Sequence, residues 1–570
     1  MTASGGGLAC WQTSRTVCRQ FSASGNLGAG EIIASSRPYV FGQNEYEPRL
    51  AYFPNLRAMV VWIYAVSWPP EYEDYDYSVE GRLLDAEGKP TGEVFRVATL
   101  GGLDYASSSV AALGNDRALV VWSDTGGDGS GRGIMGQIVT ADGALVGAAF
   151  KVNSYWQGDQ RLPDVDADLS GNAVVVWESL EQDGSLSGIY GQRFDRDGQR
   201  LGGEFQVSSN APSDQTYPSV AVDSFGNFVV AFESFHEEND LVQDVFVRAY
   251  DADGTPSGEQ VRVNEQIIYE QSAASIDLTD TGLLQVAYQS WRSLTGDPND
   301  YAYDIMTRRL VLPCREDATT LCLQGGRFQV RALWRDYAAR LGTGRALDLA
   351  EDSGGFWFFE PGNFELLVKL VDGCGFNGRY WIFASGLTDV DVDLLVTDTW
   401  TGEVELFENA LGVPFSPVQE IDLFDSCDVE PPGAEGKTTP PGAGVRGPTP
   451  TLGGECLPDT TTHCLGGGRF RVRSEWQTFT AASGVGMTAP AGDDSGLFWF
   501  FEPQNLELAV KVIDGCSVND RFWVYAAGLT NLGVSLTVED LARDTGWSFE
   551  NPLGVAFPAV LDANALATCP

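Results

Sequence analysis

Residues 163–208 read PDVDADLSGN, AVVVWES, LEQDGSLS, GIYGQRFDRDG and QRLGGEFQVS in unbroken succession. Four short strand signals lie in this stretch, in its first, second, fourth and fifth pieces. The first connection carries Gly171-Asn172. The last is a tight hairpin at Asp197-Gly198, where glycine supplies the positive φ that such turns need. AVVVW is apolar at successive positions, so both faces of that strand require burial. A four-stranded antiparallel unit satisfies this when neighbouring sheets stack on both its faces, and radially stacked sheets of this size make a β-propeller.

Outward from this stretch the unit recurs. Its core strand appears as LACW ending at Trp11, MVVW at Trp62, LVVW at Trp122, VVVW at Trp177, VVAF at Phe232 and QVAY at Tyr288, in steps of 51, 60, 55, 55 and 56 residues. The hairpin returns at Asp142-Gly143 and Asp253-Gly254. The first unit lacks its first strand and the last lacks its fourth. Six blades with incomplete closure, and seven with one lost, both fit. Residues 1–312 are assigned to this propeller. The motif VVWES…DGSLSGIYGQRFDRDGQRLGGEFQVSS…DQTYPSVA resembles a long-period repeat of bacterial extracellular proteins over roughly residues 8–312, a resemblance that implies no single activity.

From Cys314 the texture changes. Residues 314–427 and 456–569 align without a gap, with every cysteine shifted by 142 positions. Alternation such as Phe328, Val330, Ala332, Trp334 marks strands, about seven per copy, and two packed sheets are the economical arrangement. The fold class is therefore all-β: a propeller followed by two β-sandwich (Ig-like) domains, at 313–427 and 456–570. The signature C-x7-C…FWFF…DGC resembles an uncharacterised domain of secreted bacterial proteins, which implies location rather than chemistry. Residues 428–455 hold six prolines in 28 residues, a semi-extended tether that predicts independent motion of the last copy.

Ten cysteines and no CxxC pairs favour disulfides over zinc. The shortest loops close most cheaply, so the expected pairs are Cys10–Cys18, Cys314–Cys322, Cys374–Cys427, Cys456–Cys464 and Cys516–Cys569. An oxidising compartment, secreted or cell-surface, follows. MTASGGGLACW shows no signal peptide, and a truncated N-terminus is expected. No apolar run approaches the ~20 residues of a membrane span. With 36 Lys+Arg against 79 Asp+Glu the net charge is −43, which argues against nucleic acid and anionic membranes as partners. A monomer is expected.

Strand order sorts the loops onto two faces. One has tight glycine turns. The other has long acidic loops: EYEDYDY at 71–77, DTGGDGSG at 124–131 with Asp128, Glu181 with Asp183, HEEND at 236–240, and Asp297 with Asp300. Aromatics join them there: Tyr105, Tyr155, Trp156, Tyr217 and Tyr269. Rings stack on sugar faces and carboxylates accept hydroxyl hydrogen bonds, so a glycan ligand is one reading and plain solvation the other. Asp128 and Asp183 are candidate calcium ligands. A second column, Asp104, Asp159, Asp214 and Glu270, stands at one fixed place in four units; it could ring the axis as a metal site or make blade-to-blade hydrogen bonds. The Asp195-Arg-Asp197-Gly198 hairpin reads as turn chemistry rather than a calcium loop. Trp357, Trp381, Trp499 and Trp523 lie in stretches aromatic on both faces, calling for covering loops or a docking partner.

Two histidines, His236 and His463, exclude a multi-histidine centre, and no phosphate loop or GxSxG elbow is present. No catalytic residue is identified and no cofactor beyond calcium is implied. The preferred reading is a binding or adhesion protein that recognises a glycan or a cell-surface protein. A propeller glycosidase or lyase using loop carboxylates, and a passive spacer, are the alternatives.

Overall fold

The computed structural model describes residues 7–12, 15–22, 24, 26, 32–34, 43–55, 57–67, 75–101, 107–114, 116–125, 129–184, 186–209, 213–236, 239–265, 270–293, 301–361, 363–429, 456–489, 492–503 and 505–569. The chain divides into two compact units, Met1–Leu310 and Val311–Pro570. Both are built from antiparallel sheets, and the only helices among the described residues are the single turns Cys374–Asn377 and Cys516–Asn519.

Six sheets make up the first unit, in chain order. The first holds Gly7–Gln12, Thr16–Phe21 and Ile32–Ile33; the sixth holds Gln271–Leu278, Leu283–Ser293 and Tyr301–Val311. The four between them have four strands each, as in Gln160–Ala167, Ala173–Leu180, Ser187–Phe194 and Arg200–Gln206 of the fourth sheet. The end sheets have three described strands each, in line with the ragged units of the sequence. The expected hairpin turns form, with Gly143, Gly198 and Gly254 at φ 88°, 78° and 86°. Asp195 closes its own turn by accepting from the backbone N–H groups of Asp197 (3.0 Å) and Gln199 (2.8 Å). Turn geometry occupies that carboxylate.

Successive apolar residues in the second strands are buried on both faces. Trp62, Trp122, Trp177 and Phe232 lie fully inside, each between its own sheet and a neighbour. Burying a side chain of this size contributes roughly 2–3 kcal/mol. Polar links between neighbouring sheets fall at one repeat step. Asp164 accepts from Ser109 Oγ (2.8 Å) and from Val220 N (3.0 Å), Asp166 from Val222 N (2.8 Å), and Asp280 from Ser224 N (2.7 Å), over separations of 55, 56, 56 and 56 residues. A constant offset of this kind requires the first strands to run parallel and in register. The sheets are therefore arrayed like propeller blades, first strand beside first strand.

In the second unit each copy has two five-stranded sheets around a common core. Ten strand segments appear per copy where seven were expected, because short pieces such as Leu341–Thr343 pair only at sheet margins. All five disulfides join the expected cysteines. Each copy also buries one aspartate against an arginine: Asp398 with the buried Arg327 (2.9 Å) and, 142 positions on, Asp540 with the partly exposed Arg469 (2.6 Å). The guanidinium of Arg327 lies over Trp400 and Tyr380 and donates to the Tyr380 hydroxyl, which offsets the cost of burying it.

The two copies meet, and this corrects the expectation that the last one moves independently. Phe364, Leu367 and Leu387 of the first copy form one buried cluster with Leu497, Leu506, Ala509, Ala527 and Leu529 of the second. Lys511 Nζ reaches Glu365 (3.1 Å) and the carbonyl of Phe364 (3.3 Å), while Lys369 Nζ reaches Glu507 (3.5 Å). Burial raises the pKa of both glutamates and lowers that of Lys511, and the opposite charges act against that shift. Residues 430–455, most of the predicted tether, lie outside the described residues.

Candidate functional site

The first strands of five consecutive sheets enclose a cavity of about 800 Å³. Alternation along a strand sends every second residue into it, and the repeat turns those residues into layers. Fifteen residues before each core aromatic stand Glu47, Ser107, Leu162, Tyr217 and Ala273; thirteen before stand Arg49, Ser109, Asp164, Ser219 and Ser275. Eleven before, Asp166 and Asp277 are acids where Ala51 and Ala111 are small. The wall is thus made of small hydroxyl and methyl groups studded with carboxylates, and Arg49 is the one cation lining it among the described residues.

A bulge sets the mouth. Glu47, Leu162, Tyr217 and Ala273 all have positive φ (49°, 53°, 50° and 53°), and the pairing with the second strand slips at each. A non-glycine residue in this conformation costs roughly 1 kcal/mol. Four repetitions of that cost re-aim one residue per strand towards the cavity.

Charges in the wall are handled by neighbouring backbone. Asp166 keeps some surface on the cavity, yet burial outweighs its bonds from the backbone of Val222 and Ala167 and, with a smaller push from the carboxylates of Asp164 and Asp277, raises its pKa to about 7. Glu233, next to core aromatic Phe232, is likewise pushed up to about 7 by burial, with Glu270 and Glu178 adding repulsion; it accepts from Ala273 N at 2.6 Å. Glu178, the equivalent residue one sheet earlier, is gripped by Arg161 (2.6 Å) and Ser187 Oγ (3.1 Å), and burial still raises it.

The described members of the acid column named from the sequence lie outside the cavity lining, and two of them make the sheet-to-sheet hydrogen bonds that were one of its two readings. Asp159 receives Arg132 N (3.0 Å) and the Arg132 guanidinium (2.9 Å), and Asp214 receives Ser187 N (2.9 Å). Both carboxylates bind the third strand of the preceding sheet. The side chain of Glu270 is near enough to Glu233 to raise its pKa. The cavity acids are Glu47, Asp164, Asp166 and Asp277, which the sequence reading passed over. Their signal was present: a charged residue at a strand position that is Ser or Ala in neighbouring repeats.

Trp156 and Tyr217 are 51% and 52% exposed, and Tyr217 stands at the mouth. Asp183 receives Gln206 Nε2 (3.2 Å). Asp104, Tyr105, Asp128 and Tyr269 lie outside the described residues, as do 68–74, 126–128, 237–238 and 294–300 of the acidic loops. Among the described residues, no group of three or more His, Cys, Asp or Glu side chains converges as a metal site would. His463 is structural: its Nε2 lies 2.7 Å from the Leu497 carbonyl and its ring packs edge-on to Phe498. Of the four tryptophans, Trp499 packs against the apolar cluster shared by the copies and Trp357 is half-buried. Trp381 and Trp523 donate to Asn377 and Asn519 at the ends of the helical turns. No described helix is long and apolar enough to cross a membrane.

No family model and no curated protein matches this chain. Among solved structures it is similar to an α-L-arabinofuranosidase of Fusarium graminearum determined with arabinobiose, at 15% identity and a TM-score of 0.37, over 54% of this chain and 90% of that one. It is also similar to a protein of unknown function from Dyadobacter fermentans (11%, TM-score 0.36, 52% and 85%) and to an α-L-arabinanase of Penicillium chrysogenum (14%, TM-score 0.30, 53% and 88%). Scores of this size carry neither fold nor activity across to this chain.

Proposed function

We propose that the first unit is the recognition head of a secreted or surface-attached protein and binds a glycan at the mouth of its cavity. The observation that carries this reading is Tyr217, a large ring more than half exposed on a backbone strained to φ 50°. A ring this exposed gains only part of the burial energy of a core aromatic, while the bulge costs some, so the position offers a stacking face to a ligand. Stacking a sugar on Tyr217 or Trp156, with hydrogen bonds to the hydroxyl and carboxylate wall, would use both. The six sheets are taken as blades of one propeller with incomplete end blades, the paired copies as immunoglobulin-like attachment modules, and the protein as a monomer. Five disulfides support an oxidising compartment. A glycan-array screen tests the reading, with Tyr217→Ala and Trp156→Ala as variants. A blank array, or an unchanged profile in both variants, removes it.

Calcium is proposed for the acidic loops near Asp183. Millimolar Ca²⁺ against EDTA should then raise the Tm of the first unit and Asp183→Asn should blunt the shift, whereas identical melts would exclude it.

A second reading is favoured by one observation. Asp164 and Asp166 stand two residues apart on one strand face, about 6–7 Å between Cα atoms, and Asp166 is held near neutral pH in its proton affinity. A carboxyl group so tuned beside a second carboxylate suits the acid and base roles of glycoside cleavage. Shortening of a bound polysaccharide that is abolished by Asp166→Asn would select this reading; retention of its chain length would select the first.

A further inference from the structure

The geometry points to a second glycan-binding platform, on the first C-terminal copy at the corner closed by Cys374–Cys427, which takes a neutral sugar by ring stacking. It is independent of the reading of the first unit. Phe376 is 85% exposed, yet its ring is held in edge-to-face contact with Trp381 (centroids 5.5 Å apart, interplanar angle 88°). Trp381 is itself fixed, donating to Asn377 Oδ1 at 2.9 Å, and Asn377 Nδ2 donates to the carbonyl of Ile421 at 2.7 Å. An exposed aromatic ring pinned by its neighbours offers a stacking face at little further entropic cost. Beside it, Arg379 bridges the exposed carboxylates of Asp422 and Asp425, both at 2.6 Å. That arrangement presents acceptors and a planar donor next to a ring, the pairing that recognises hydroxyls around a sugar's apolar face.

The sister copy supplies the control. Its scaffold is retained: Trp523 donates to Asn519 (2.9 Å), and Asn519 donates to the carbonyl of Ala563 (2.8 Å). Its recognition groups are not. Val518, Asn564 and Ala567 stand where the first copy has Phe376, Asp422 and Asp425, 142 positions earlier. The fold therefore does not need the ring or the two acids. A second copy of this chain is a poor occupant, because its net charge of −43 repels an acidic rim; the same rim disfavours anionic glycans.

The test uses the full chain and converts the first corner into the second with Phe376→Val alone and with Phe376→Val, Asp422→Asn and Asp425→Ala together, changes the sister copy shows to be compatible with folding. Binding is read by affinity electrophoresis in gels containing a neutral β-1,3-glucan, xylan, arabinan or mannan. Retardation by at least one of these polysaccharides is expected. Phe376→Val should weaken it about tenfold, the ~1.4 kcal/mol of one stacked ring, in a background where Trp156 and Tyr217 are already alanine. Unchanged retardation in the triple variant, or no retardation of the parent by any of the four, overturns the platform. Loss confined to the Trp156 and Tyr217 variants would also overturn it while leaving the head reading in place. Loss confined to the Phe376 variants does the reverse.

Discussion

The two units join their repeats by opposite symmetries. In the first, residue i of one sheet bonds a different residue one repeat later: Asp164 with Val220, Asp166 with Val222, Ser224 with Asp280. Such a head-to-tail contact leaves a free donor surface at one end and a free acceptor surface at the other, so the same join can be made again and again. In the second unit the contact is reciprocal. Lys369 pairs with Glu507 and Lys511 with Glu365, the same two positions exchanged between copies. A reciprocal contact saturates at two members. This difference accounts for many sheets in one unit and a pair of sandwiches in the other.

The largest effect that could break the comparison lies in the reciprocal join. Lys511→Met leaves Glu365 buried without its partner, and the second unit should lose about 3 kcal/mol or more. Adding Glu365→Leu should restore most of it, because the site then becomes apolar. Denaturant melts of the three proteins decide; equal midpoints would mean that the copies do not share this interface in solution.

Next comes the pH response of the repeated join. Asp166 and Glu233 have folded pKa values raised to about 7 from ordinary values of 3.8 and 4.5. The native state therefore holds protons that the unfolded chain has released. Their contribution is fully present below about pH 4 and is lost as pH rises through about 7. After allowing for water in the cavity, Asp166 should account for on the order of 2 kcal/mol of that loss. Asp166→Asn should flatten the stability profile of the first unit between pH 4 and 7, and a profile that is flat in the parent would contradict the burial of this carboxyl.

Smaller still is the change at Asp159. Asp159→Ala removes two hydrogen bonds between adjacent sheets and exposes Arg132, which is partly wetted already, so a loss of about 1 kcal/mol is expected by denaturant unfolding. If it instead abolished a calcium-dependent rise in Tm, the metal reading of the column would return. Smallest of all, Phe376→Val should leave stability within about 0.5 kcal/mol of the parent, since an exposed ring contributes little to folding. A larger loss would make Phe376 a structural residue and weaken its role in recognition.

Much was decided by the sequence alone, wherever the decision was local. Successive apolar residues in AVVVW demanded burial on both faces, and Trp177 is buried between sheets. Short loops predicted which cysteines join, and they do. Turn glycines appeared at positive φ because only the backbone of a tight hairpin was at issue. Tertiary structure decided the rest. Asp159 stands at a position that is acidic in four repeats and Asp164 at one that is not, yet a slip of pairing between Arg161 and Asp164 places Asp164 in the cavity wall, while Asp159 binds the preceding sheet. Glu365 and Lys369 interrupt an apolar strand, and nothing in the local pattern marks what they pair with. Their partners stand 146 and 138 residues away. Periodicity tells which residues of a strand share a face. What that face meets depends on contacts closed over long stretches of chain, where geometry rather than local pattern selects the partner.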